Sequence, residues 1–262
     1  METYRNYGFL PPEPDEGAYE LGGLISLPKV ILQPNRDWSA FLPKYEPQFG
    51  DGWDSFGCTV WGSENAIETL EKKLTGVEKN YSERFTYILA GVTQRGADPH
   101  KVAECIRSNG LIPDEILPMT KDYEEFLTPN PMTPELKKEG QRWGWQFGHE
   151  YVWNGVQTAD AQLAKVMEAL QYSPLGVSVT AWFAEKDFKT NQTVYVDRDQ
   201  PNTHWCVLYG VDDYGYKIYD SYDQTHKILS FDHKMRVCKR YSLTRKPIKR
   251  YTWWEFLRRL FV

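Results

Sequence analysis

The sequence predicts an α+β protein with helices first and strands second, and three observations carry that prediction. Between Ala66 and Leu74 the apolar residues Ala66, Ile67, Leu70 and Leu74 fall at helical spacing. Over residues 175–181 the apolar period shortens to two, the mark of a half-buried strand. Two further strand patterns, His204–Val211 and 216–222, flank Asp212-Asp213-Tyr214-Gly215, a composition that favours a tight hairpin. Segregated helices and strands of this kind belong to the α+β class.

Residues 1–47 read as an irregular arm. Pro11, Pro12, Pro14, Pro28, Pro34, Pro43 and Pro47 stand too close together for long elements, and each proline removes a backbone donor. Leu24, Ile25, Val30, Ile31, Trp38 and Phe41 give the arm apolar side chains with which to lie along other structure, so a strap is expected. The first helix starts at or just before Cys58 and stops at Gly76. A second is expected over residues 81–93. A third has Asp98 as its cap, Pro99 in its first position, Val102, Ala103 and Ile106 as its stripe and Gly110 as its stop. Residues 113–156, rich in Pro, Gly and Trp, yield no secure element. Thr158 caps a further helix with Leu163, Val166, Met167 and Leu170 on one face, ending before Ser173-Pro174. Strands then follow, with a polar loop up to Pro201.

Composition narrows the functional classes. The chain has 262 residues, 41% hydrophobic and 15% aromatic, enough for a sizeable core in one large domain or two lobes. No apolar run reaches the ~20 residues that span a bilayer, and Met1–Tyr7 lacks the basic and apolar regions of a secretory signal. A cytoplasmic or virion-associated location is expected. Cys58, Cys105, Cys206 and Cys238 have neither disulfide-framework nor CxxC spacing, and His149, His226 and His233 have no ligand spacing, so neither a metal nor a cofactor is predicted. No phosphate loop or nucleic-acid motif occurs. Residues 239–262 carry +7 and the rest of the chain −12. Such a basic, aromatic tail suits an anionic surface, but its Trp253, Trp254, Phe256, Leu257, Leu260 and Phe261 favour docking back on the acidic body.

Three residues form a candidate constellation. Cys58 sits at a helix N-terminus, where unpaired N–H groups favour thiolate. A thiol that attacks an acyl carbon needs a base, and the base needs an orienting partner. His204 opens a strand, and the hairpin returns Asp220 to its level. Cys206 alternates onto the face of His204 and is read as a buried structural thiol; Cys105 is read as structural, beside the apolar face of its helix, and His100 as solvated.

At Gly57-Cys58-Thr59-Val60-Trp61, at His204 with its alternating strand and Gly210, and at Asp220-Ser221-Tyr222, the chain resembles the papain-like cysteine peptidases. Asp in place of the family's Asn at 220 is more similar to the bacterial double-glycine peptidases. The arm and general outline are similar to peptidase-like proteins encoded by tailed phages. The resemblance implies two lobes, helical then antiparallel β, with the active site in the cleft between them. The expected divisions are a 1–47 arm, a 48–156 helical lobe, a 157–238 β lobe and a 239–262 tail. It further implies a peptide or protein substrate and a thioester on Cys58, with His204 as base and Asp220 as its orienting partner. One departure stands out: the family's oxyanion glutamine lies six residues before the cysteine, where this chain has Gly52, and Gln48 is the nearest substitute. Trp182, Trp205 and Tyr222 are candidate cleft walls, and core packing accounts for Trp182 and Trp205 equally well. Hydrolysis, transfer to an amine, peptidoglycan cleavage and a non-catalytic binding role all use this framework.

Overall fold

Cys58–Thr75 forms α1, the central helix, buried on nearly every side from Cys58 to Glu71. Gly57 precedes it, and Gly76, in the left-handed conformation, ends it with its N–H on the Lys72 carbonyl. The structure is a computed structural model that describes residues 6–12, 27–187, 191–222 and 226–247. The remainder of the predicted tail, 248–262, lies outside the described residues, as do Leu24 and Ile25 of the arm.

Before α1, β1 (Phe49–Gly50) and β2 (Trp53–Asp54) form a short ribbon. After it come α2 (Glu83–Ala90), capped by the Ser82 hydroxyl, and α3 (Pro99–Asn109), capped by the Asp98 carboxylate with Pro99 at its first turn. The expected 81–93 helix is therefore shorter, because Ser82 caps it and Gly91 turns left-handed at its end. The stretch 113–156 is not without elements. It holds α4 (Tyr123–Phe126), α5 (Pro134–Gln141) and the ten-residue β3 (Trp145–Asn154). Next is α6 (Ala159–Ala169), capped by Thr158.

The strands β4 (Leu175–Val179), β5 (Phe183–Lys186), β6 (Thr193–Val196), β7 (His204–Val211), β8 (Tyr216–Tyr219), β9 (Lys227–Leu229) and β10 (Val237–Arg245) join β3 in one sheet. Its order is β3-β10-β4-β7-β8-β9-β6-β5, antiparallel except between β6 and β9. Lys239–Arg245, read from the sequence as the start of a tail, thus belong to the sheet. A register shift between Cys238 and Lys239 breaks the alternation, and both cations that follow are buried. Arg240 pairs with Glu150 at 2.6 Å, and the Lys239 ammonium lies 3.6 Å from the Tyr151 ring centroid. Charge in the sequence therefore concealed a strand.

β7, buried except at Val211, carries α1 on its face. The approach is close because α1 presents Gly62: a Cβ there would come within 2.7 Å of Trp205. Gly176 clears the other edge of the same indole, where a Cβ would meet Trp205 at 2.5 Å. Two glycines thus let one tryptophan sit between helix and sheet, and this fixes α1 against the head of β7. The described part of the arm lies along the β region. Trp38, fully buried, gives its backbone N–H to Tyr209 and its indole N–H to Leu170, and Leu32 and Gln33 donate to the Gln171 carbonyl. Among the described residues no helix is long and apolar enough to cross a membrane.

Candidate active site

Cys58 is the first residue of α1 and is fully buried, in a cluster with Phe9, Tyr151, Trp205 and Val237. Phe56, two residues earlier, has φ +54°, a left-handed turn that costs a non-glycine residue energy. Its N–H is held by Asp54 at 2.8 Å, and the Gly57 N–H by the Ser55 hydroxyl at 3.0 Å. The lowered thiol pKa expected at a helix start is not realised here. Burial pushes the Cys58 thiol well above its ordinary value, offset only in part by the Trp205 backbone N–H beside the sulfur.

His204 heads β7 and is fully buried. Its Nε2 lies 2.6 Å from Asp220 Oδ1, just past the end of β8, while its Nδ1 has no hydrogen-bond partner. A carboxylate accepts, so the proton resides on Nε2 and Nδ1 is left as the proton acceptor. No hydrogen bond joins Cys58 to that nitrogen in this arrangement; Trp205, the residue after His204, links the two positions. Asp220 also accepts from the Tyr222 N–H at 3.1 Å and from Lys227 Nζ at 2.7 Å. Burial pushes its pKa up, but the His204 and Lys227 contacts outweigh this and hold it below the usual carboxylate value.

Gln48 reaches the site by an indirect path. β1 and β2 loop out between it and Cys58, and the chain closes again where the Ser55 N–H and hydroxyl both donate to the Gln48 carbonyl. The side chain accepts from Ser221 at 2.8 Å and donates through Nε2 to Asp54 Oδ1 at 3.2 Å and the Tyr7 carbonyl at 3.3 Å. The Tyr222 hydroxyl donates to the other Asp54 oxygen.

That Tyr7 carbonyl belongs to the arm. The N–H groups of Tyr7 and Phe9 donate to the Thr203 carbonyl, Ala97 N–H donates to the Gly8 carbonyl, and Leu10 N–H to the Ala97 carbonyl. Gly8 passes so close to the Phe56 carbonyl that a Cβ would meet it at 1.9 Å. Tyr7 lies against the His204 ring at 5.3 Å, and Phe9 stacks on Trp205 at 5.9 Å. Residues 7–9 therefore cover Cys58 and His204 together.

Of the predicted cleft walls, Trp182 and Tyr222 do flank His204, with ring centroids 5.6 and 5.5 Å away and near-perpendicular planes. Trp205 does not line a cleft: it is fully buried between Gly62 and Gly176. Cys206 is buried 3.9 Å from Asp220 Oδ1. His204, Cys206 and Asp220 offer ligand atoms within 4.8 Å of one another, but a hydrogen bond of 2.6 Å between the first and last leaves no room for an ion between them. His100, half-buried, stacks on Tyr151 and contacts Lys239 at 3.2 Å, so it belongs in part to a side-chain cluster on α3, β3 and β10. Sequence reasoning missed Lys227, Tyr7 and Phe9. No local pattern marks a buried lysine, and Tyr7 and Phe9 lie in a stretch too short for periodicity.

No protein-family model matches this chain, and no curated protein does. Solved structures do match, and they give it the fold of the papain-like cysteine proteases. It is similar to xylellain, a cysteine protease from Xylella fastidiosa, at 14% identity and a TM-score of 0.61, covering 95% of this chain and 98% of that one. The bromelain protease from Ananas comosus in complex with the E64 inhibitor matches at 15% and 0.54, over 79% and 98%. Digestive procathepsin L 3 from the larval midgut of Tenebrio molitor matches at 12% and 0.55, over 82% and 73%.

Proposed function

We propose that this chain hydrolyses peptide bonds through Cys58, His204 and Asp220. Cys58 Sγ attacks the carbonyl carbon, and His204 Nδ1 takes the thiol proton and passes it to the leaving amine. A thioester forms on Cys58, and water, deprotonated by the same nitrogen, releases the acid and restores the thiol. Asp220 holds the Nε2–H tautomer. Gln48 Nε2, already bonded to a peptide carbonyl, donates to the oxyanion. The observation that carries this reading is the buried His204, anchored to Asp220 at 2.6 Å with its Nδ1 unpartnered, at the strand head against which the Cys58 helix packs.

Burial of the thiol under the arm favours a second reading, a papain-fold binding protein with no turnover. Alkylation separates them. In a Tyr7→Ala/Phe9→Ala variant, iodoacetamide at about pH 6, well below the ordinary thiol pKa, is expected to label Cys58 ahead of the other three cysteines. Adding His204→Ala abolishes that preference. Equal labelling of all four cysteines, or labelling indifferent to His204, would refute the peptidase.

A further inference from the structure

Lys227, the first residue of β9, is only 3% exposed. A buried ammonium is costly unless charge and hydrogen bonds compensate it. Here its Nζ lies 2.7 Å from Asp220 Oδ2, 4.7 Å from the Trp182 ring centroid and 5.9 Å from that of Tyr195. Trp182 in turn stands edge-on to His204. The two oxygens of Asp220 are thereby divided, Oδ2 to Lys227 and Oδ1 to His204.

We propose that Lys227 is a positioning residue for the His204–Asp220 pair: clamped between Asp220 Oδ2 and Trp182, it turns Oδ1 toward His204 and cancels the carboxylate charge that the imidazole would otherwise feel. The inference rests on the peptidase reading for its consequence. An imidazolium beside an uncompensated buried carboxylate holds its proton too firmly to release it to a leaving amine. With Lys227 in place Asp220 orients the ring as a neutral acceptor would, fixing the tautomer without overstabilising the cation.

The polar and titratable groups around this pair come from every neighbouring element: Cys206 on β7, Tyr222 after β8, Tyr195 on β6, Cys58 on α1, Asp54 on β2, and Tyr7 of the arm. The pKa of His226, directly before Lys227, is lowered by burial and then by the nearby Lys217 and Lys227 charges. Among these side chains Lys227 supplies the cation in contact with Asp220.

NMR titration of the His204 imidazole in the full-length protein tests the charge cancellation without requiring turnover. Lys227→Met is expected to raise the His204 midpoint by about one pH unit or more, and Lys227→Arg to leave it near the wild-type value. Lys227→Met leaves a buried anion unpaired, so a second pair of variants guards against its misfolding. Asp220→Asn should lower the midpoint, and Asp220→Asn/Lys227→Met should raise it again by about one unit. Equal midpoints in those last two variants, or a midpoint unmoved in Lys227→Met, would overturn the proposal. Expected midpoints in a wild type that cleaves no peptide would leave Lys227 its role in the pair and sink the peptidase instead.

Discussion

Gln48 illustrates how a side chain can reach a place that its spacing in the sequence would deny it. Ten residues separate it from Cys58, yet its amide reaches a peptide carbonyl lying over the site, because β1 and β2 leave and return at the same point. If that amide stabilises the oxyanion, Gln48→Ala should lower kcat for a peptide substrate by about 10²- to 10³-fold. Alkylation of Cys58 by iodoacetamide forms no oxyanion, so its rate in the arm-loosened background should stay within about twofold. A parallel fall in both rates would assign Gln48 a purely structural part. The positions of Cys58, His204 and Asp220 were legible because a helix start, a strand start and a hairpin return leave separate marks in the sequence. For Trp205 the sequence left cleft wall and core packing open, since alternation tells which face a residue takes but not what covers that face; here Gly62 and Gly176 let helix and sheet close on it. Lys227 was invisible because its partner lies across a strand pair.

Among the elements, the arm is the one whose position bears most directly on reactivity. Its prolines argued against long elements, and the described stretches hold only one turn of 3-10 helix, Ser39–Phe41, and a single bridge at Phe9, but nothing in them indicated that residues 7–9 would lie on Cys58 and His204. On the proposed peptidase reading, a peptide would reach the sulfur by displacing them. Loosening the arm by Tyr7→Ala/Phe9→Ala removes the stacking on Trp205 and the contact with His204, and rehydration reverses the burial that raises the thiol pKa. Cys58 in this variant is expected to react with iodoacetamide at least about tenfold faster than in the wild type, since one pKa unit is tenfold in thiolate. A synthetic peptide spanning residues 5–12 should slow it again. Unchanged rates would mean that the arm covers the thiol only loosely. β3 and β10 escaped detection for a different reason. Their alternation is broken by a register shift, and Lys239 and Arg240 are buried through Tyr151 and Glu150, partners that no single-strand pattern contains.

For the molecule as a whole, the order of helices before strands was readable from period alone, whereas its electrostatic balance was not, because net charge says nothing of which carboxylates are buried. Glu64 and Glu68 on α1 and Glu83 on α2 are buried in the helical region, with Glu46 of the preceding loop half-buried beside them. Neither oxygen of Glu64 has a hydrogen-bond partner. Burial pushes its pKa up to about 8, and burial likewise raises Glu46, Glu68 and Glu83; like charge from other members of the group adds to the rise for Glu68 and Glu83, and from Asp114 for Glu46. In the unfolded chain these groups lose their protons near the ordinary glutamate value of about 4.3. Between that pH and about 8 the folded state therefore binds more protons than the unfolded one, so stability falls as pH rises through this window. Asp220 works in the other direction: its lowered pKa contributes stability above the ordinary aspartate value that is lost as pH falls through its folded one. Buried His149 and His233, whose pKa values burial lowers to about 4, oppose the glutamates between about pH 4 and the ordinary histidine value of about 6.5, where a neutral folded histidine makes stability rise with pH. Glu64→Gln replaces the carboxyl by a neutral group of the same shape and removes one proton from that balance. Urea denaturation at pH 8 should find the variant more stable than wild type by ~2 kcal/mol or more, with the difference shrinking toward zero at about pH 4, where both states of the wild-type residue are protonated. A variant less stable at pH 8 would mean that an ionised Glu64 is satisfied there, and the acidic cluster would then have to be held together by a bound cation or by water.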